Sequence, residues 1–262
     1  MSTPHGLAGA IRRWHARWHA ALKYHLGKAD PIYKWRISFS ECPNCHGRLF
    51  LSLRPDPYLT RCVRCGASAV TLSLIPVIQN HRRQHTITCA WEMSTYGATL
   101  EFLKREISCV IESEFFPGRK SGELIDAVLN QDVQKLSFED ASIDLITSNQ
   151  VFEHVADDSL GFSECFRVLR PGGALIFTVP LYGAPRTEIL AEVVNHEIVH
   201  HREPEYHDSR AGGPRSALTY RRYSQMDVAD GVSKVGFEVH LVDVTVAASQ
   251  GFPVKVVYGV KN

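Results

Sequence analysis

A regular alternation of β-rich apolar runs and helical segments, from His85 to the C-terminus, most constrains the fold of this chain. This alternation predicts an α/β fold with a doubly wound, mostly parallel sheet that has helices on both faces. Ligands of such sheets bind beyond the carboxyl ends of the strands, so the residues after each strand are site candidates. Strands are predicted at 86–93, 108–116, near 132, 143–148 and 174–179, helices at 96–106 and 159–169, and a short helix or turn at 122–130.

Two cysteine pairs in the N-terminal third predict a metal-binding module. Cys42 and Cys45 form one Cys-x2-Cys knuckle, and Cys62 and Cys65 form a second, with 16 residues between the knuckles. Each knuckle can aim two thiolates at one ion, and four thiolates complete a tetrahedral zinc shell. Because this shell has no open position, the predicted zinc is structural. Four incidental core cysteines are the alternative.

The residues around the knuckles are typical of a zinc ribbon. A strand is predicted at 48–53 and a turn at 55–57, and Gly47 and Gly66 follow the knuckles, where tight turns need a permissive residue. The other cysteines, Cys89, Cys109 and Cys165, lie in apolar stretches and are predicted to be small core residues. The absence of a secretory signal favours a reducing compartment over a disulfide framework.

The charge distribution predicts two bodies with different roles. Residues 1–90 carry a net charge of +10 and residues 91–262 carry −9, although the whole chain carries only +1. The predicted division is a basic amphipathic helix at 1–30, a zinc ribbon at 31–84 and an α/β domain at 85–262. No apolar run approaches the roughly 20 residues needed to cross a bilayer. The chain is therefore expected to be cytoplasmic, with peripheral membrane contact as an option.

The basic surfaces of the first 90 residues leave several partners open. In the N-terminal helix, apolar residues recur at helical spacing, from Leu7 through Trp14 and Trp18 to Leu22, with arginines opposite. That helix packs on the protein, lies on anionic lipid, or resembles an organelle transit sequence. The arginines around the ribbon suit RNA phosphates, lipid headgroups or the acidic second body.

Two stretches, QDVQKLSFEDASIDLITSNQVFEHV (131–155) and FSECFRVLRPGGALIFTVP (162–180), resemble the class I S-adenosylmethionine-dependent methyltransferases. They look closest to the small-molecule, type 11-like branch, whose core reads D-x-x-x-L-S/P-F…FDL…EH…RVLKPGG. The match is dense over 131–180, and the order of elements extends it over about 85–262. The resemblance implies a Rossmann-like, seven-stranded methyltransferase sheet and S-adenosylmethionine as the cofactor that donates the methyl group.

The resemblance also implies which residues hold that donor. Glu114 matches the acid that accepts both ribose hydroxyls, as a carboxylate can. Asp132 and Val133 match the position that meets the adenine ring. Asn149 follows the fourth strand, beneath the methionine moiety, and Glu92 stands for the acid that takes up the ammonium group.

The turn after the first strand departs from the family pattern, which is roughly D-x-G-x-G-x-G. Residues 92–97 read EMSTYG, so Ser94 and Gly97 are the remaining candidates for the donor cradle there. With a single glycine the backbone approaches the donor less closely. The Gly-bearing stretch 116–122 is a candidate for the missing part of the cradle. A pseudoenzyme without cofactor is the alternative.

Two histidines are candidates for the catalytic base that takes the acceptor's proton. His154 lies just after the fourth strand, and His207 lies in a long insertion at 181–217 that is predicted to fold as a lid. Histidine suits this role because its unperturbed pKa is about 6.5. Positioning of the acceptor without a base is the alternative.

Residues 196–200 spell the H-E-x-x-H pattern of zinc proteases. That chemistry needs both histidines on one helix face, whereas the β-rich flanking residues predict a hairpin that turns at Asn195 and His196. A protease or a further metal site at this pattern is therefore disfavoured.

Together these features favour a methyltransferase that acts on a small-molecule acceptor, with saccharide and lipid-linked acceptors as candidates. An RNA methyltransferase is one alternative, because some ribosomal-RNA guanine methyltransferases also pair a zinc ribbon with this fold. The acidic second body speaks against nucleic acid, as does the sequence NQVF at 149–152 in place of the family's Asn/Asp-Pro-Pro-Tyr/Phe signature. A zinc-ribbon adaptor without enzymatic activity is the other alternative.

Overall fold

The computed structural model describes residues 36–209, 212–247 and 253–262 of the 262-residue chain. The chain divides into two compact units, one of Met1–Leu72 with Thr245–Val254 and one of Ser73–Val244 with Lys255–Asn262. The basic helix predicted at 1–30 lies outside the described residues, and the three predicted domain boundaries stay predictions. Within the described ranges, no helix is both long and apolar enough to cross a membrane.

The first unit contains a three-stranded antiparallel sheet made of β1 (Arg36–Phe39), β2 (Leu49–Ser52) and β3 (Thr60–Cys62). The strand predicted at 48–53 is confirmed as β2. Phe50 is fully buried, and the hydroxyls of Ser52 and Thr60 share a 2.7 Å hydrogen bond across the sheet. This small sheet carries the loops that hold the cysteine knuckles.

Helix α1 (Ala69–Gln84) was not predicted. Pro76 lies in its middle, where proline removes a backbone donor and disfavours a helix. Leu72, Ile75 and Ile78 are nevertheless fully buried at helical spacing. Burial of this apolar face outweighs the local cost of the proline.

The second unit is built on an eight-stranded sheet in the order β17-β18-β9-β8-β4-β5-β7-β6. Neighbours among β4, β5, β7, β8 and β9 run parallel, and β18 runs antiparallel to β9. The predicted Rossmann-like α/β fold is confirmed. The strands are β4 (Cys89–Glu92), β5 (Cys109–Glu114), β6 (Leu124–Ile125), β7 (Val128–Asn130), β8 (Ile143–Asn149), β9 (Leu169–Thr178), β17 (Glu238–Val244) and β18 (Val254–Val260).

The predicted count of seven strands is corrected to eight, because β6 adds an edge strand. Residues 122–130, predicted as a short helix or turn, form the β6–β7 hairpin. Its two turn residues, Asp126 and Ala127, both have positive φ, 47° and 66°. Paired positive φ angles match the right-handed twist of a tight hairpin, although the turn lacks the usual asparagine and glycine that would have revealed it.

Three helices accompany this sheet: α2 (Ala98–Glu106), α3 (Asp158–Val168) and α4 (Gln225–Lys234). The helices predicted at 96–106 and 159–169 are confirmed as α2 and α3. Asp157 caps α3 and Ser224 caps α4, each accepting a 3.1 Å bond from a backbone N–H of the first turn. The buried ring of Phe162 on α3 packs on the buried rings of Phe152 and Phe177.

The insertion after β9 is made of short strands rather than irregular loop. Its two hairpins are β12–β13 and β14–β15. The predicted turn at Asn195 and His196 is confirmed, with φ of 51° and 68°, so H-E-x-x-H lies on a hairpin and not on a helix. The strands are β10 (Leu181–Tyr182), β11 (Glu188–Ile189), β12 (Ala191–Val194), β13 (Glu197–His200), β14 (Tyr206–Ser209), β15 (Gly213–Leu218) and β16 (Arg221–Ser224).

The expectation of three core cysteines is only partly right. Cys165 is fully buried in α3, but Cys109 is exposed and Cys89 is half-buried. These two lie opposite each other at the first register position of β4 and β5, with their Sγ atoms 2.7 Å apart. Each is the first residue of its strand, before the buried residues of the sheet.

Candidate active site

Glu92 is the last residue of β4, and its carboxylate is almost completely buried. The hydroxyl of Ser94 donates to it at 3.0 Å, and the hydroxyl of Thr147 on β8 donates to its other oxygen. Burial raises the pKa of Glu92 to about 7, against the opposing effect of these two hydrogen bonds, and nearby Glu114 raises it further. The site therefore holds a carboxyl group that changes charge near neutral pH.

Glu114 ends β5, the strand next to β4, and its carboxylate is tied to the turn that follows β4. One carboxylate oxygen accepts hydrogen bonds from the backbone N–H of Thr95 at 3.0 Å and from its hydroxyl at 2.7 Å. In the same turn Gly97 has φ 110°, a conformation that favours glycine, and a Cβ added there would meet no atom within 4 Å. The turn thus faces open space beside two carboxyl groups.

Asp132 and Val133 follow β7 in the same sheet. The carboxylate of Asp132 accepts two bonds from Gln134, at 2.9 Å from the backbone N–H and 3.1 Å from the side-chain amide. The side chain of Val133 is buried in the core against Gly161 of α3. What Val133 can offer a ligand is therefore its backbone.

Asn149 is the last residue of β8 and accepts a 2.8 Å hydrogen bond from the hydroxyl of Thr178 on β9. Directly after it, Gln150 has φ 58°, an uncommon conformation for a residue other than glycine. This turn leads into a short 3-10 helix at Phe152–His154, whereas α3 begins later, at Asp158. The polar residues after β8 are thus carried by a tight, well-defined segment.

His154 is mostly buried at the end of this 3-10 helix, with 17% of its side chain exposed. Its Nδ1 donates a 2.9 Å hydrogen bond to the carbonyl oxygen of Leu218, which makes Nε2 the nitrogen that carries the lone pair. Burial lowers the pKa of His154 to about 4, more than that hydrogen bond raises it, and His207 lowers it further. The imidazole is therefore neutral at physiological pH.

His207 lies on β14 of the insertion, and its Nδ1 is 3.2 Å from Nε2 of His154. The two rings meet edge to face, with centroids 4.9 Å apart. The two predicted catalytic histidines, distant in sequence, are thus brought together beyond the end of β8. Whether either acts as a base stays a prediction.

Glu153 adds a third titratable group to this pair. Its side chain is 1% exposed, and neither carboxylate oxygen has a hydrogen-bond partner among the described residues. Its Oε1 lies 3.9 Å from Nε2 of His154. Burial raises the pKa of Glu153 to about 8.

Arg221 of β16 fixes the segment that carries these groups. Its buried guanidinium donates to the carbonyl oxygens of Phe152, Val155 and Ala156 at 3.3, 2.6 and 2.6 Å. It also pairs with Asp158, the first residue of α3, at 3.4 Å. The guanidinium of Arg221 thereby fixes the backbone at 152–156, the segment that carries Glu153 and His154.

The cysteine knuckles bring four thiols together in the first unit. The Sγ atoms of Cys42 and Cys65 are 3.8 Å apart, those of Cys45 and Cys62 are 3.6 Å apart, and all four lie within 4.8 Å of one another. Zinc–sulfur bonds of about 2.3 Å in a tetrahedron require sulfur separations of about 3.8 Å. The cluster therefore has the dimensions of a four-cysteine zinc site.

The knuckle turns differ from the prediction in one respect. Gly66 has the expected positive φ of 74°, but after the first knuckle it is His46 that takes positive φ, 59°. Gly47 is required for space instead, because a Cβ there would lie 2.7 Å from Cβ of Arg64 and 3.2 Å from Sγ of Cys45. Both knuckles thus use one left-handed residue directly after their second cysteine.

Residues 108–177 match a family model described as a methyltransferase domain. That stretch is therefore similar in sequence to methyltransferase domains, and it lies within the α/β sheet of the second unit. A 46-residue segment is 48% identical to a protein of Mycolicibacterium smegmatis named as a probable S-adenosylmethionine-dependent methyltransferase, over 18% of this chain and 18% of that protein. The matching segments span less than a fifth of the length of such curated relatives.

Two solved structures are also similar to this chain. One is an S-adenosylmethionine-dependent methyltransferase from Clostridium acetobutylicum, 14% identical, with a TM-score of 0.48 over 73% of this chain and 90% of that one. The other is an S-adenosylmethionine-dependent methyltransferase from Mesorhizobium loti, 14% identical, with a TM-score of 0.45 over 72% and 98%.

Three functional candidates of the methyltransferase domain were missed in the sequence: Thr147, which bonds to Glu92, Arg221, which holds the 3-10 segment, and Glu153. Glu153 is next to His154, but a sequence does not reveal that a carboxylate is buried without a partner. Thr147 lies in a continuous run of buried residues on β8, directly after Leu145 and Ile146, which is also the pattern of an ordinary core threonine.

Proposed function

We propose that this protein is an S-adenosylmethionine-dependent methyltransferase that acts on an oxygen or nitrogen atom of a small-molecule acceptor. The observation that carries the proposal is the pair of carboxyl groups, Glu92 and Glu114, at the ends of adjacent strands beside an open turn. Ligands of open α/β sheets bind at this edge. A buried carboxylate such as Glu92 suits an ammonium group, and Glu114 suits hydroxyls.

The residues present fit the donor despite the degraded glycine motif. Gly97 leaves open space at the turn, and Ser94 orients Glu92. Asp132 follows β7, which pairs with β5, and Asn149 ends β8, which pairs with β4, so both would line the same edge of the sheet. When bound, S-adenosylmethionine supplies an electrophilic methyl group on its sulfonium. Glu92 would hold the ammonium end of the donor and Glu114 its ribose.

On the acceptor side, His154 and His207 would orient the nucleophile and take its proton. The bond from Nδ1 of His154 to Leu218 fixes the ring and leaves Nε2 as the proton acceptor. His207 reaches the same point from the insertion. A pair of imidazoles at this position supports general-base assistance combined with positioning of the acceptor.

The four-cysteine cluster supports a structural zinc in the ribbon. Cys42 and Cys62 are fully buried, and the sulfur separations suit one tetrahedral ion. Zinc there would stabilise a small sheet that has few apolar residues of its own. This role would be separate from methyl transfer, because four thiolates leave no position for a substrate.

The small-molecule acceptor rests on the residues after β8. An RNA or DNA base methyltransferase of this fold is expected to place a proline-containing signature there, and this chain has Gln150 and Val151 after Asn149. The polar, histidine-bearing hairpin β14–β15 suits a hydroxylated acceptor such as a saccharide or a lipid-linked sugar. Contact with anionic lipid through the basic N-terminal region stays a proposal, as does a cytoplasmic location.

Calorimetry of the full chain with S-adenosylmethionine and S-adenosylhomocysteine tests the donor. We expect saturable binding of both, and weaker binding after Glu114→Ala. Absence of donor binding at millimolar concentration would replace the enzyme by the adaptor alternative. Turnover by His207→Ala, measured once an acceptor is found, should fall while donor affinity stays nearly unchanged. A His207→Ala variant with wild-type turnover removes His207 from catalysis.

A further inference from the structure

We infer that Glu153, His154 and His207 form a second metal site, for a divalent ion of the zinc type, just beyond the carboxyl end of β8. The three side chains offer one carboxylate oxygen and two imidazole nitrogens, all within 4.8 Å of one another. This site is separate from the cysteine cluster in ligand type. Among the described residues, the cysteine cluster and this group of three each bring metal-binding side chains together.

The first argument is that the buried carboxyl group of Glu153 has no hydrogen-bond partner among the described residues. A carboxylate that is 1% exposed and has no hydrogen-bond partner in the described part of the chain is costly to bury. The buried cation in this region, Arg221, gives its hydrogen bonds to three backbone carbonyls and pairs with Asp158 instead. A metal ion between Glu153 and the two histidines would give this carboxyl group the partner that it lacks and would keep it ionised.

The second argument is the separation of the ligand atoms. With zinc–nitrogen bonds of about 2.0–2.1 Å, a tetrahedral ion requires its nitrogens to be about 3.3 Å apart. Nε2 of His154 and Nδ1 of His207 are 3.2 Å apart. Oε1 of Glu153 is 3.9 Å from the same Nε2, about 0.6 Å more than a tetrahedral ion requires.

The third argument is the fixed orientation of the ligands. Metal-binding histidines usually donate their second ring nitrogen to a carbonyl or carboxylate, which sets the tautomer and the direction of the lone pair. Nδ1 of His154 makes this bond to Leu218 at 2.9 Å. The backbone N–H of Tyr220 donates to the carbonyl oxygen of Glu153 at 2.8 Å. The segment that contains Leu218 and Tyr220 thus holds both His154 and Glu153.

Two imidazoles and one carboxylate are a ligand set for zinc and similar first-row ions, and three protein ligands leave a position open for a further ligand. A hydroxyl group of the acceptor that binds the ion at this open position would have a lowered pKa. With Nε2 of His154 and Nδ1 of His207 bound to the ion, the imidazoles would be ligands and not bases, and the proton of the ion-bound acceptor would pass to water. This role rests on the proposed function, whereas binding of the ion does not.

Cobalt titration of the full chain tests the site without any turnover. The chelator-stripped protein is titrated with Co²⁺, because thiolate-bound cobalt has an intense charge-transfer absorption that nitrogen- and oxygen-bound cobalt lacks. Cobalt at the cysteine cluster would give both visible bands and charge-transfer absorption. We expect a second set of visible bands, from cobalt at Glu153, His154 and His207, that grows without any increase in charge-transfer absorption. Zn²⁺ is then added as a competitor.

Three variants decide the assignment. Glu153→Gln and His207→Ala should each weaken cobalt binding at the proposed site by more than about 100-fold. Loss of a hydrogen-bond partner of a metal ligand already costs about 10–100-fold in metal affinity, and loss of a ligand costs more. His200→Ala, an exposed histidine on the neighbouring hairpin, should bind like the wild type. Circular dichroism of each variant checks that the fold is retained.

Absence of this binding in the wild type overturns the inference, and so does wild-type affinity in both ligand variants. Donor binding measured on the same preparations keeps the two proposals apart. Metal binding without donor binding would remove the methyltransferase activity and keep the site. Donor binding without this metal would remove the site and leave the two histidines as candidates for the base.

Discussion

Nε2 of His154 lies 3.2 Å from Nδ1 of His207, although the two residues are 53 positions apart in the chain. The hairpin β14–β15 carries His207 to the end of β8, and Arg221 holds the segment that carries His154. The backbone bond from Thr219 to Glu205 closes the open end of this hairpin, and the bond from Tyr220 to Glu153 connects that end to the segment before α3. These contacts fix the positions of the two histidines relative to each other.

Donor binding should depend on pH through Glu92. Its pKa is raised to about 7, so the carboxyl group is neutral below pH 7 and cannot pair with the donor's ammonium group. Affinity for S-adenosylmethionine should therefore rise with pH, by up to about tenfold per unit below pH 7, and level off above it. Calorimetry from about pH 5 to about pH 9, two units on either side of the pKa of Glu92, measures both the rise and the plateau.

The matched control for that prediction is Glu92→Gln, which keeps the shape of the side chain and cannot ionise. Its donor affinity should be low and nearly constant over the same pH range. A wild-type affinity that does not change with pH would mean that Glu92 does not face the ammonium group.

Removal of the Glu114 carboxylate should weaken donor binding by about 1–3 kcal/mol, because buried hydroxyls would lose a charged acceptor. Glu112→Ala is the control, since Glu112 lies on the same strand but pairs with Lys104 at 2.6 Å. Calorimetry of both variants provides the comparison. Equal losses in the two variants would point to a general effect on β5 and not to a ribose contact.

Replacement of a knuckle cysteine should remove one zinc ion per chain and unfold the ribbon, because a structural zinc contributes folding free energy directly. We expect this for Cys45→Ser, measured by metal analysis and thiol titration of purified protein. Cys109→Ser, at an exposed cysteine outside the cluster, should keep its zinc. Zinc-free wild-type protein with all four knuckle thiols freely reactive would contradict the ribbon.

Loss of the Arg221 guanidinium should destabilise the second unit by about 3–5 kcal/mol, because three carbonyls and Asp158 lose a buried charged partner. Chemical denaturation of Arg221→Met measures the change. Arg186→Met is the control, because 84% of the Arg186 side chain is exposed and its pair with Asp227 is a surface pair. Similar midpoints for the two variants would show that Arg221 contributes no special support.

Much of the methyltransferase domain could be predicted because its strands are buried on both faces. The apolar run that forms β8 and the Phe162 and Cys165 face of α3 carry periodicities that give the element type directly. Helix α1 and the β6–β7 hairpin were missed because their local signals oppose the result. Pro76 interrupts α1, and the hairpin turn at Asp126 and Ala127 lacks a glycine.

The sequence alone predicted that Cys42 lies close to Cys45 and Cys62 close to Cys65, because only two residues separate the cysteines of each pair. It also determined that acids follow successive strands of one parallel sheet. Only the tertiary structure decided that Glu153 is buried without a partner and that His207 meets His154. Spacing encodes contacts within a turn, a strand or a helix, whereas the approach of a distant hairpin depends on how the whole insertion packs.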